Sequence, residues 1–322
     1  MKKVILFFAL IIGTIWNLNA LEVKVGNQNI VSNNSLAIAK GFLKEEFDKI
    51  GVTFKVLNFD SGKDMNAAFA SKSIDFGFLG TTPFVIGAVN GLNTGIVYLD
   101  FIAQETEGLV GRKGKFKNIA EIKGKKIAVP FGTSAHYALL QTLKINNISP
   151  KEVSIIDIPA GNILAAWDRG DVDLAFIWEL TLSSLKNKEF LFSDKDLADK
   201  GVILADVLAV RKEFAGANSK VIEAYKRALD RAYEFRLSDP KGAAESISKF
   251  FSIPLSDASL QLSERIAKPL SVKDNAESRL LGTKDKKGEF YKNLYSVAEF
   301  LKEQKLLRKL PPVDSFKDFI IY

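Results

Sequence analysis

One segment of this chain occurs twice, 98 residues apart, and that repetition restricts the folds open to it. Ala67-Ala68-Phe69, four linking residues and Ile74-Asp75-Phe76-Gly77-Phe78-Leu79 return as Ala165-Ala166-Trp167, four linking residues and Val172-Asp173-Leu174-Ala175-Phe176-Ile177. Each copy reads as an amphipathic helix, a tight polar turn and a buried strand. Two copies at this period fit a pair of similar α/β lobes, because solenoids stack several units of 20–50 residues. Two such lobes enclose a cleft, and closure of a cleft about a ligand is a common hinge motion. Asp75 and Asp173 recur with the repeat and read as turn residues. Trp167, matched to Phe69, reads as core.

The length of 322 residues fits two domains of ordinary size. Residues 1–20 stand apart: Lys2 and Lys3 precede an apolar run from Val4 to Trp16, and Asn17-Leu18-Asn19-Ala20 offers a small residue for cleavage before Leu21. That is the layout of a secretory signal peptide, and the run is shorter than the ~20 residues of a membrane span. The sequence has no cysteine, which excludes disulfides, thiolate nucleophiles, zinc–cysteine sites and a lipoprotein anchor. Net charge is +7 and the lysines are dispersed, whereas a nucleic-acid footprint is clustered on one face. The expectation is an exported, unanchored monomer that binds no nucleic acid.

Strand patterns at Leu21–Val25, Val52–Phe59, Ile74–Leu79, Gly95–Phe101, Lys126–Val129, Val153–Ile158 and Val202–Val210 alternate with helical patterns, among them Ala37–Ile50 and Ala135–Asn146. After Arg211 the pattern is almost wholly helical, with Lys220–Leu237, Pro240–Phe251, Ser256–Ile266 and Phe290–Gln304. The alternation predicts an α/β fold with mostly parallel connections. Two crossovers, near Glu107–Arg112 and Asp206–Arg211, divide it into a discontinuous lobe 1 (21–109 plus 210–322) and a lobe 2 (110–209).

Two strand–loop–helix junctions carry the chemistry. In Gly80-Thr81-Thr82-Pro83, Thr82 is a good N-cap and Pro83 fits the first helical position. In Gly132-Thr133-Ser134-Ala135-His136, a glycine again precedes two hydroxyls at a helix start. Helix starts present free N–H groups and the positive end of the dipole, so they hold anions without a formal charge. His136 is the only histidine, which rules out His–His metal spacing and most triads. It either lines the cleft as a donor or packs at the helix start. Glu107 and Asp206 sit at the crossovers and Glu179 follows Trp178; a carboxylate in a cleft pairs with a ligand ammonium. Trp178 lies past a strand end, where ligands bind in α/β sheets, and reads as a cleft wall. No P-loop, GxSxG, HExxH or dinucleotide fingerprint is present. The reading is of a binding protein with no cofactor and no metal, not an enzyme.

Asp60-Ser61-Gly62, Phe78-Leu79-Gly80-Thr81-Thr82-Pro83, Ile127 to Tyr137, Ala165 to Asp171 and Ala298 to Gln304 together resemble the periplasmic substrate-binding proteins of taurine and aliphatic-sulfonate ABC importers, a group that also includes nitrate binders. The resemblance implies a type 2 periplasmic-binding-protein fold, two α/β lobes joined by two crossovers. It implies that Gln28, Gly80, Thr81, Thr82, Thr133, Ser134 and His136 lie in the cleft, that Asp206 matches an acid on the return strand positioned for an amine, and that Glu107 matches a family glutamate before the crossover. It also implies a taurine ligand, delivered to an inner-membrane ABC permease with its ATPase, in the periplasm. The chain departs from the family at Glu179-Leu180, where Ala-Pro is common, and at Asn27, where an aromatic residue is usual. The alternatives are another alkanesulfonate, nitrate, a pyrimidine precursor, or an enzyme on the same fold.

Overall fold

The computed structural model describes residues 21–322; the expected signal peptide lies outside the described residues. Among the described residues no helix is long and apolar enough to cross a membrane. Eleven strands are described in two sheets: β1 (Glu22–Asn27), β2 (Thr53–Asn58), β3 (Phe76–Gly80), β4 (Thr94–Ala103), β5 (Glu107–Arg112), β6 (Lys126–Val129), β7 (Ser154–Asp157), β8 (Leu174–Trp178), β9 (Lys188–Ser193), β10 (Ala205–Arg211) and β11 (Ala267–Pro269). The first sheet has the order β11-β4-β10-β3-β1-β2 and the second β9-β5-β8-β6-β7. Apart from β11, the two orders are the same if β1, β2, β3, β4 and β10 are matched to β6, β7, β8, β9 and β5.

The sequence repeat is the visible part of this match. Its copies are the Gly62–Ala70 helix with β3 and the Ala160–Arg169 helix with β8. The recurring aspartates clamp neighbouring strands: Asp75 accepts from the Lys24 N–H at 2.8 Å and Asp173 from the Lys126 N–H at 2.9 Å. Lys24 lies on β1 and Lys126 on β6, so one bond is made at equivalent places in both sheets. Trp167 and Phe69 are both core. The Trp167 indole N–H donates to the Lys186 carbonyl, and the Arg112 guanidinium lies 3.9 Å from its ring centre.

Connections are less parallel than the alternation predicts. β1 pairs β2 and β3 in parallel, and β6 pairs β7 and β8 in parallel. β10 runs antiparallel to β3 and β4, and β5 antiparallel to β8 and β9. The reason is topological. β5 and β10 are the strands that bring the chain in from the other sheet, so they enter from the opposite end. The chain leaves the first sheet at Ala103, joins the second at Glu107, leaves it at Ser193 and rejoins the first at Ala205. The segments expected as crossovers, 107–112 and 206–211, are therefore paired strands, and the passages between sheets lie just ahead of them.

The helix expected over Ala37–Ile50 is two helices, Asn33–Lys40 and Phe42–Asp48. Gly41 separates them with a φ of 84°, a left-handed conformation that glycine adopts without steric cost. The first starts at Asn33, ahead of the expected range, because Ser32 and Ser35 form a capping box and the Asp100 carboxylate accepts from the Asn33 and Asn34 N–H groups. β9, a short helix Asp194–Ala198 and β11 fall where the sequence pattern suggested no element.

Candidate functional site

The ends of β3 and β8 occupy equivalent places in the two sheets, and each faces a carboxylate on the strand that crosses over. On β10, Asp206 is opposite Gly80; on β5, Glu107 is opposite Trp178. Gln28, Ile30, Gly62, Gly80, Pro83, Thr106, Glu107, Thr133, Ser134, Trp178 and Asp206 wall one cavity between the two sheets. It is narrow, with space for about one water. Gly80 keeps it open: a Cβ there would stand 3.3 Å from Ser134 Oγ and 3.4 Å from Asp206 Oδ1. A wider opening lies outside Trp178, between Phe59, Leu164, Leu180, Phe250 and Phe251.

The two helix starts differ in detail. The Thr81–Val89 helix has Gly80 as its N-cap, with no side-chain bond, and Thr82 and Pro83 fall at its second and third positions. This corrects the expectation that Thr82 caps it: Gly80 is still paired to Asp206 in the sheet and supplies the extended backbone that a cap needs. The Thr81 and Thr82 hydroxyls are buried with no partner, between the wall residues Gly80 and Pro83. The Ser134–Ile145 helix is capped by Thr133, whose Oγ1 accepts from the His136 N–H and donates to the Pro130 carbonyl. Ser134 Oγ donates to Glu107 Oε1.

The electrostatics are one-sided. Glu107, Asp206 and Asp194 are 6%, 7% and 1% exposed, and Glu107 Oε2, Asp206 Oδ2 and Asp194 Oδ1 have no partner. Burial pushes the Glu107 carboxyl up to about 7, opposed in part by the Ser134 bond. Burial and then the Glu107 charge raise both Asp194 and Asp206. With Glu107 and Asp206, Gln28 Oε1 makes a third unpartnered acceptor in the wall. Among the described residues, none of the three carboxylates forms an ion pair with lysine, arginine or histidine. No group of three metal-ligating side chains is arranged for an ion among these residues either. The arrangement suits a small ligand that brings its own positive charge to the carboxylates and an anionic end to the hydroxyls and helix starts.

Of the residues expected in the cleft, Gln28, Gly80, Glu107, Thr133, Ser134, Trp178 and Asp206 wall the cavity; Thr81 and Thr82 follow Gly80 in the chain with buried, unpartnered hydroxyls and do not wall it. His136 and Glu179 do not wall it. The His136 ring stacks on Phe131 at 4.2 Å between centres, and burial holds its pKa down to about 4, so it is neutral at physiological pH. The Glu179 carboxylate accepts from the Ser183 N–H at 2.9 Å. Asp194 is the residue sequence reasoning missed. Its Oδ2 accepts from the Glu107 N–H at 2.9 Å. Ser193 and Asp196 form a capping box that marks a helix start in sequence, but nothing there links Asp194 to a strand 87 residues earlier.

A family model described as NMT1/THI5 like matches residues 32–243. The taurine-binding periplasmic protein of Escherichia coli is 31% identical over 294 residues, covering 88% of this chain and 87% of that protein. The solved structure of the alkanesulfonate-binding protein SsuA from Xanthomonas axonopodis pv. citri bound to MOPS superposes with a TM-score of 0.74 at 22% identity, covering 92% of this chain and 97% of that one. The periplasmic nitrate-binding protein NrtA from Synechocystis superposes with a TM-score of 0.70 at 14% identity, covering 94% and 86%. These likenesses show the periplasmic-binding-protein fold, which the two matched sheets embody.

Proposed function

We propose, for a chain that belongs to the NMT1/THI5-like family and whose relatives are substrate-binding proteins, that it is the sulfonate-binding component of an ABC importer and that its ligand is taurine, 2-aminoethanesulfonate. The observation that supports taurine is the pair of buried carboxylates, Glu107 and Asp206, with no cationic partner among the described residues. Charges so buried are stable only when paired or protonated, and an ammonium supplies the pairing. At the other end, Thr81, Thr82, Thr133, Ser134 and the two helix starts bind the sulfonate, with Gln28 and Trp178 flanking it. His136 and Glu179 hold the loops that carry these groups.

The protein works in the periplasm after removal of residues 1–20, as a monomer, and hands its ligand to an inner-membrane permease and its ATPase. β5 and β10 each pair wholly within one sheet, so the lobe boundaries are drawn in the passages at 104–106 and 194–204 and not at the expected 109/110 and 209/210, which fall within those strands. Opening at the passages just ahead of these strands admits the ligand, and closure brings Glu107 and Asp206 together around it. The wider opening beside Trp178, with Phe59, Phe250 and Phe251 around it, favours a longer alkanesulfonate as the second reading.

The test is a ligand comparison by titration calorimetry. Taurine is expected to bind far more tightly than ethanesulfonate, and Asp206→Ala is expected to weaken taurine at least ~30-fold while weakening ethanesulfonate only a few-fold. Equal losses for both ligands remove Asp206 from the amine role, and tight ethanesulfonate binding with no taurine heat discards taurine.

A further inference from the structure

The buried carboxyl groups at the proposed ammonium site outnumber the one positive charge that an ammonium brings. Glu107 and Asp206 face the cavity from the two crossing strands, and Asp194 stands behind Glu107, bonded to its N–H, with Oδ1 buried and unpartnered. The groups around the cluster do not offset it. Ser134 meets Glu107 from its own helix, and His136 on that helix is stacked away on Phe131 and neutral. On β4, next to the Phe101 that pairs Asp206, Asp100 adds further negative charge felt at Asp206; it accepts from the Asn33 and Asn34 N–H groups and is favoured by the Arg236 charge. Next to β8, Glu179 accepts from the Ser183 N–H, and the Lys188 charge favours its ionised form without forming an ion pair. Arg265, whose carbonyl accepts from the Glu105 N–H in the passage at 104–106, is paired with the Glu105 carboxylate. The unpartnered Gln28 Oε1 in the same wall is a further acceptor that awaits a donor.

We propose that the ligand ammonium enters this site in exchange for a proton held among Glu107, Asp194 and Asp206, and that Asp194 is the positioning residue that sets the exchange from behind Glu107. The inference rests on the reading of an ammonium-bearing ligand given above. In the closed, ligand-free site a carboxylic acid O–H takes the place of a counter-ion. When the ligand arrives, that proton leaves to solvent and the ammonium N–H groups donate to the carboxylate left behind. The direction of titration agrees, since burial raises all three acids. Asp194 acts on the ligand through Glu107 rather than by contact: the two carboxyls interact, and an ionised Glu107 holds the proton on Asp194 until a cation replaces it.

Two measurements decide the matter. Taurine is titrated calorimetrically near pH 7 in phosphate and in Tris, whose ionisation heats differ. Release of about one proton per taurine is expected, with affinity falling up to tenfold per pH unit on acidification below that point. Heats independent of buffer, with affinity flat between about pH 5 and pH 8, overturn the exchange and leave the ligand assignment standing. Asp194→Asn keeps an acceptor for the Glu107 N–H. It is expected to halve the proton release or better and to weaken taurine more than ethanesulfonate. Equal weakening of both ligands with the proton count intact reduces Asp194 to a structural bond. If taurine gives no heat at all, the function reading fails separately. Carbon-13 carboxyl NMR of the ligand-free protein then still decides the exchange: at least one of the three acids protonated near pH 7 supports it, and all three ionised at about pH 6 overturns it.

Discussion

Gly80 and Trp178 occupy one place in two sheets of the same strand order, each opposite a crossover carboxylate, yet one leaves room and the other fills it. The helix starts beside them differ in the same sense. After Gly80 the hydroxyls of Thr81 and Thr82 have no partner, whereas Thr133 spends its hydroxyl on a cap and Ser134 spends its own on Glu107. The lesson is that the two frames share a strand order and the proposed ligand site lies where they stop being equivalent. The first lobe keeps polar groups in reserve, and the second fixes its loop with them and presents a wall.

The largest effect expected from erasing this difference is on Gly80. Gly80→Val puts methyl groups between Ser134 and Asp206, in a cavity with room for about one water. Ligand affinity is expected to fall at least ~1000-fold, about 4 kcal/mol, by calorimetry. Binding that survives within tenfold would show that the ligand lies elsewhere.

Next in size is the pH dependence of the ligand-free protein. Glu107 titrates at about 7 in the native state against 4.5 for the free side chain, because burial disfavours its charge. Between those values the native protein holds a proton that the unfolded chain has lost, so stability falls as pH rises through the window. The loss is on the order of 3 kcal/mol and is complete above the native value. Asp194 and Asp206, also raised, act in the same direction. Urea unfolding at about pH 5 and pH 8 measures it, and a curve that rises or stays flat across the window contradicts a buried acid at this position.

The smallest effects separate the helix starts themselves. Thr133→Ala removes a cap and is expected to cost about 1 kcal/mol of stability, a few degrees in melting temperature. Thr82→Val removes a hydroxyl that has no partner in the fold, so stability should hold or rise while sulfonate affinity drops ~10-fold. If the two substitutions exchange these signatures, the assignment of fold and ligand roles between the starts is reversed.

Much of the fold was legible because local patterns carry it. Thr133 caps a helix that begins at the hydroxyl pair the sequence marks. The apolar runs of β3 and β8 are buried throughout. The break at Gly41 was not legible, because apolar spacing continues through it and only the packing of both halves decides where the chain turns. β9 and β11 escaped for a related reason: their residues alternate weakly and are held by neighbours far along the chain, Arg112 to Gly108 for one and Phe101 to Ala103 for the other.

The sequence by itself determined that there are two like lobes, that helix starts rich in hydroxyls follow their strands, and that acids lie where the chain crosses between them. Those are properties of residues close in sequence, where periodicity and capping act. Only the tertiary structure decided that Glu107, Asp194 and Asp206 share one buried site, that His136 and Glu179 serve their loops, and that Thr81 and Thr82 stay unpartnered. These follow from strand order and register, which pair residues on separate segments of the chain and leave no periodic trace along it.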